Sequence, residues 1–115
     1  MCVLPLRRTA YTDLAVSVRL TDLLALGKPT VASASLAAEA FVGPSAAVAF
    51  VSDAPGDLAA AIIRLLDDPA AADELGRRAR AFAERDDVTW GRRADQVMEA
   101  LLGVLPGEVE RRDQR

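Results

Sequence analysis

The stretch Ser17-Val18-Arg19-Leu20-Thr21-Asp22-Leu23-Leu24-Ala25-Leu26-Gly27-Lys28-Pro29-Thr30-Val31-Ala32-Ser33 constrains the fold more than any other part of the chain. Leu20, Leu23 and Leu24 recur at helical spacing and make one apolar face, with Arg19 and Asp22 on the other side. Ser17 stands where a hydroxyl can accept an orphan backbone N–H, as an N-cap does. Gly27 suits the left-handed residue that ends a helix, and Pro29 bars its continuation. Thr30 to Ser33 then reads as a short strand.

The flanking segments repeat this alternation. Cys2-Val3-Leu4, closed by Pro5, reads as a strand, and Leu6 to Val16 as a loop. Ser35 to Phe41 reads as a short helical turn and Gly43-Pro44-Ser45 as a loop. Ala47 to Val51 is apolar throughout, the pattern of a strand covered on both faces. Asp57 is predicted to cap a helix whose apolar stripe is Leu58, Ala61, Ile62, Leu65 and Leu66. Asp67-Asp68-Pro69 breaks that helix, and Ala72, Leu75, Ala79, Phe82 and Ala83 form the next stripe. Thr89 is predicted to cap a last helix carrying Trp90, Ala94, Val97, Met98, Leu101, Leu102 and Leu105, ended by Pro106-Gly107. Residues 106–115 are predicted to form a charged, flexible tail. The class is therefore α/β: a partial Rossmann-like parallel sheet of about three strands, with right-handed crossovers and a helical C-terminal half. A complete Rossmann-like lobe has about six strands, so residues 1–105 read as the second half of one.

Composition removes several function classes. A chain of 115 residues is one domain at most, and with 51% hydrophobic and 27% charged residues it can bury a core. The net charge of −3, with basic residues scattered among acidic ones, argues against nucleic acid as a partner. No histidine is present, so no imidazole can serve as base or ligand. The single Cys2 excludes an internal disulfide and a cysteine zinc site, and reads as a small core residue. The sequence shows no metal-ligand cluster and implies no cofactor. No apolar run approaches the roughly 20 residues of a membrane span, and no signal-peptide pattern is present, so the expected setting is cytoplasmic. Lys28 is the only lysine, which with abundant alanine points to a GC-rich bacterial genome.

The candidate chemistry lies at the start of the first helix. Open α/β sheets bind ligands beyond the carboxyl ends of their strands, and the loop from Leu6 to Val16 leaves such an end. Free N–H groups at a helix N-terminus attract phosphate. A carboxylate one turn further on, Asp22, can accept two hydrogen bonds from vicinal ribose hydroxyls. Arg19 and Asp22 are also spaced as an i,i+3 surface ion pair, and periodicity alone favours that plainer reading.

Residues 17–33 resemble the donor-binding segment of nucleotide-sugar glycosyltransferases of the two-lobed GT-B fold, group 1 or family 4-like. There an acidic helix residue precedes an A-x-G-K-P-V-V-A-S-like stretch, similar to Ala25 through Ser33 here. The resemblance implies that Asp22 contacts the donor ribose and that Arg19 lies near phosphate, in a variant with a basic residue three before the acidic one. It implies that backbone amides from Ala15 to Val18, Ser17 among them, face the diphosphate. The family's first glutamate falls on Leu14, so a donor-sugar contact falls to Asp13 only with a one-residue slip, and the glycine-rich E-G-F-G stretch is missing. Downstream, Val48 to Leu66 resembles a G-L-L-V-P-P-G-D-P-E-A-L-A-E-A-I-L-R-L-L-D-D-P string, with Val51 to Asp57 preceding Leu58 to Pro69. Leu75 through Arg80 resembles the segment L-G-x-x-A-R, and Trp90 the F-S-W that starts the terminal helix.

The resemblance implies a C-terminal donor-binding fragment with a nucleotide-sugar donor, expected to be inactive alone: a truncated reading frame, a split gene's second half with a separate chain supplying the missing lobe, or a degenerate remnant. No catalytic residue is assigned to it. The rival readings are a non-catalytic, flavodoxin-like α/β interaction or regulatory module, and a helical scaffold using residues 57–105.

Overall fold

A computed structural model describes residues 1–104. They form two compact units, one from Met1 to Glu84 and one from Arg85 onward. The first begins with strand β1 (Cys2–Leu4), helix α1 (Val18–Ala25), strand β2 (Thr30–Ser33), helix α2 (Leu36–Val42) and strand β3 (Ala49–Val51). It ends with helices α3 (Pro55–Asp67) and α4 (Pro69–Ala83). The three strands form a parallel sheet in the order β1-β2-β3, with Leu4 opposite Ala32 and Ala32 opposite Phe50. The α/β reading therefore holds, down to the bounds of β1 and β2.

All four residues of β2 are buried, as the central strand of a sheet with helices on both faces requires. Neighbouring side chains on a strand point to opposite faces. Val31 packs with Ala61 and Leu65 of α3 and Leu75 of α4. On the other face Ala32 meets Leu20 of α1 and Ala38 of α2. Leu20 and Leu24 are each 1% exposed, and burying a leucine contributes roughly 1.5–3 kcal/mol.

The amino edge of the sheet is closed by α4. Gly27 takes a left-handed φ of +64°, ending α1 as expected. Its carbonyl and the Pro29 ring lie directly against Gly76 of α4. Arg80, one turn on, donates from Nη1 to the Ala25 carbonyl at 2.9 Å, satisfying an orphan acceptor at the end of α1. Further along, the Phe82 ring meets Phe41 of α2 edge-on at 5.2 Å. The motif Leu75 through Arg80 is thus a packing device for the Gly27-Lys28-Pro29 turn.

Several expectations need correction. Strand β3 covers only Ala49–Val51 and is half-buried, because it is an edge strand; Ala47 and Val48 are buried but stand outside the ladder. Cys2, on the other edge strand, is likewise half-buried. Gly43–Ser45 is a 3₁₀ turn rather than an irregular loop. The N-cap of α3 is Ala54, not Asp57, since Pro55 is already set for the first helical position. Leu66 lies on the solvent side of α3. Ser17 occupies the N-cap position of α1, but its hydroxyl makes no capping bond.

The second unit holds a 3₁₀ turn (Asp86–Val88) and helix α5 (Trp90–Val104). Thr89 caps α5 as expected, accepting from the Arg92 N–H at 3.3 Å. The predicted apolar stripe is present, but α5 buries none of its described residues. Leu105 and the predicted tail lie outside the described residues.

Candidate functional site

Open α/β sheets bind ligands beyond the carboxyl ends of their strands, so the loops of that edge are the first candidates. They are tied to one another by polar bonds. The Leu6 N–H donates to Ser33 Oγ at 3.1 Å, joining the ends of β1 and β2. The Arg8 N–H donates to Asp53 Oδ2 at 2.8 Å, joining the β1–α1 loop to the β3–α3 loop. Within the first loop, Thr9 and Thr12 exchange backbone-to-hydroxyl bonds at 2.8 and 3.2 Å. Such local bonds compete with regular structure and set a turn.

Asp13 is the junction of this edge. Its Oδ1 accepts the Leu36 N–H at 3.0 Å, at the start of α2. Its Oδ2 accepts from Arg8 Nε at 3.1 Å, and its carbonyl accepts the Ala37 N–H at 3.1 Å. The carboxyl is held below its ordinary pKa chiefly by the Leu36 N–H, against an opposing effect of burial that comes second, with Arg8 adding to the lowering. Both carboxylate oxygens are therefore engaged within the protein.

The other sequence-derived residues cluster at the start of α1. Ser17 is half-buried and lines a crevice between Leu20, Ala38 and the sheet residues Leu4, Ala32 and Phe50. Thr12, Ser33 and Ser35 also line it, and the free space is about 20 Å³, room for one water. Val18 and Arg19 are exposed, and their N–H groups have no partner among the described residues. Asp22 is exposed one turn further along. Among the described residues no ion pair joins it to Arg19, and none joins Asp13 to Arg19. The structure thus groups Ser17, Val18, Arg19 and Asp22 on one helix and ties Asp13 to α2.

Sequence reasoning missed a second concavity on the same edge. An open groove of about 540 Å³ runs between the β1–α1 and β3–α3 loops, above the end of β2, with Arg7 and Asp53 in its lining. The doublet Arg7-Arg8 directly after a predicted strand was the one local signal for it. Among the described residues no three carboxylate or thiol groups gather closely enough to hold a metal ion, and no helix is long and apolar enough to cross a membrane.

A family model described as glycosyl transferase-like matches residues 2–99. No curated protein and no solved structure gives a match.

Proposed function

The chain belongs to the glycosyl transferase-like family, and from that premise we propose that it forms the C-terminal half of the nucleotide-sugar donor lobe of a GT-B glycosyltransferase. In the complete enzyme a sugar passes from a nucleotide donor to an acceptor. The part of this chain is to hold the donor. The Asp22 carboxylate accepts the ribose hydroxyls. The N–H groups of Val18 and Arg19, with the Ser17 hydroxyl, face the diphosphate, where the positive end of the helix dipole favours negative charge. The Arg19 side chain adds a charge beside it. Asp13 already accepts from Leu36 and Arg8, so its first role in this reading is to hold the loop in place.

The observation that carries the reading is the start of α1, which is uncapped by any side chain, opens at the carboxyl edge, and is followed one turn on by an unpaired carboxylate. Leaving-group charge in such transfers needs more preorganised positive charge than Arg19 supplies. In this reading the described donor-lobe residues do not complete a catalytic site by themselves.

Calorimetric titration with UDP, GDP and ADP tests the proposal, beside Asp22→Ala. Binding weakened roughly tenfold or more in the variant is expected, the worth of a hydrogen bond to a charged group. Absence of binding at millimolar nucleotide sinks the proposal and leaves the non-catalytic, flavodoxin-like interaction module as the better description.

A further inference from the structure

The crevice at the start of α1 gathers hydroxyls whose hydrogen bonds are only half made. Ser33, at the end of β2, and Ser35, the N-cap of α2, both line it and are 6% and 8% exposed. Ser33 Oγ accepts the Leu6 N–H at 3.1 Å, and Ser35 Oγ accepts the Ala38 N–H at 3.3 Å. Among the described residues neither hydroxyl hydrogen has an acceptor. Ser17 lines the same space, and its Oγ makes no capping bond. Thr12, by contrast, is already satisfied. Its Oγ1 accepts the Thr9 N–H at 2.8 Å and donates to the Arg7 carbonyl at 3.1 Å. The other walls are apolar, Leu20 and Ala32 among them.

A buried hydroxyl hydrogen without an acceptor forfeits the bond it made to water in the unfolded chain. The free space of about 20 Å³ exceeds the roughly 10–15 Å³ that one water needs, and no organic ligand fits it. An internal water makes about three hydrogen bonds, and three partners line this space. We propose that the crevice binds one internal water, which accepts from Ser33 and Ser35 and donates to Ser17 Oγ. A cation is opposed there, because no carboxylate lines the space and two of the three oxygens already accept an N–H. The water joins the end of β2, the N-cap of α2 and the start of α1. By engaging the Ser17 oxygen it competes with a capping bond, which leaves the first N–H groups of α1 open. What those groups then bind rests on the donor reading; the water itself does not.

A high-resolution crystal structure of the full chain tests the site directly. The expected result is one isolated density about 2.5–3.0 Å from the hydroxyl oxygens of Ser17, Ser33 and Ser35, the ordinary O–H···O distance. In solution, oxygen-17 relaxation dispersion of water is expected to fall by one long-lived molecule in Ala32→Val, which adds bulk to the crevice wall and suits a strand. An otherwise unchanged amide spectrum shows that the variant folds. If it does not fold, Ser35→Thr takes its place, since threonine keeps the hydroxyl that caps α2. A crevice without density overturns the proposal, as does equal dispersion in parent and folded variant. So does a density with six or more oxygens at roughly 2.3–2.6 Å, the surroundings of a cation such as calcium. Loss of the water is also expected to weaken UDP, GDP or ADP binding several-fold with Asp22 intact, and an unchanged affinity removes the water's hold on α1. If no nucleotide binds the parent chain the donor reading fails, and density and dispersion still decide the water.

Discussion

The carbonyl oxygen of Gly27 lies 2.8 Å from the point a β-carbon on Gly76 would occupy. Backbone fills that space, so no rotamer change can relieve the clash. Gly76→Ala is expected to force α4 off the β2 entry and to cost about 1–3 kcal/mol. Gly91→Ala, where nothing lies within 4 Å, is the matched control and is expected to be neutral or slightly stabilising. Denaturant melts of the two variants decide it, and equal midpoints would mean that the contact is dispensable.

Asp13 gives a pH-dependent expectation. Its folded-state pKa is depressed, so its stabilising effect is present above the usual carboxylate value of about 3.9 and is lost as pH falls through the lower folded value. Exchange of the Leu36 amide, corrected for intrinsic rate, is expected to accelerate as pH drops below the ordinary carboxylate range. In Asp13→Ala that amide is expected to be open at neutral pH as well. An amide equally protected in both proteins would remove Asp13 from its junction role.

Two of the polar N-cap positions, Asp68 and Ser17, should behave differently. Asp68 accepts the Ala71 N–H at 3.0 Å at the start of α4, and Asp68→Ala is expected to cost about 1 kcal/mol. Ser17 makes no such bond, and Ser17→Ala is expected to stay within about 0.5 kcal/mol of the parent. Thermal melts compare them directly. A large loss in Ser17→Ala would show that its hydroxyl holds α1 and is not free for a ligand.

Phe82 is 3% exposed and meets Phe41 edge-on. Phe82→Ala is expected to cost roughly 3–5 kcal/mol. Asp22→Ala, by contrast, removes an exposed, unbonded carboxylate and is expected to leave the melting midpoint nearly unchanged. A destabilised Asp22→Ala would make any loss of nucleotide binding uninterpretable as a contact effect.

The parts of the fold written in local chemistry were legible. Gly27 and Pro29 mark the end of α1, Asp68-Pro69 the start of α4 and Thr89 the start of α5, because caps and breakers act within a few residues. The short β3 was not legible, since Ala47 and Val48 are as apolar as the residues that follow and only pairing to β2 separates them. The α3 cap was misplaced because Pro55-Gly56 looks like a turn until the helix is seen to begin at the proline. The carboxyl edge was the least legible part. Leu6 to Ser33 and Arg8 to Asp53 are bonds across 27 and 45 positions, and no periodicity records them. For the same reason Asp13, read as a weak sugar contact, gave no sign of its bonds to α2.

The passage of α4 across the amino edge also has a consequence for biosynthesis. Residues 27 and 76 meet only after most of the chain has been made, and Phe41 waits for Phe82. A ribosome-bound chain that has released α3 but not α4 therefore presents Val31 and Ala61 without their Leu75 cover. That intermediate is the one that should recruit chaperones or aggregate, since exposed core surface on a partial sheet invites both. Stalled chains ending after Asp67 and after Ala83, compared by limited proteolysis once clear of the exit tunnel, separate the two cases: protection arriving only with the longer chain makes the last-made helix of this unit its folding switch, and protection in both would place that switch earlier.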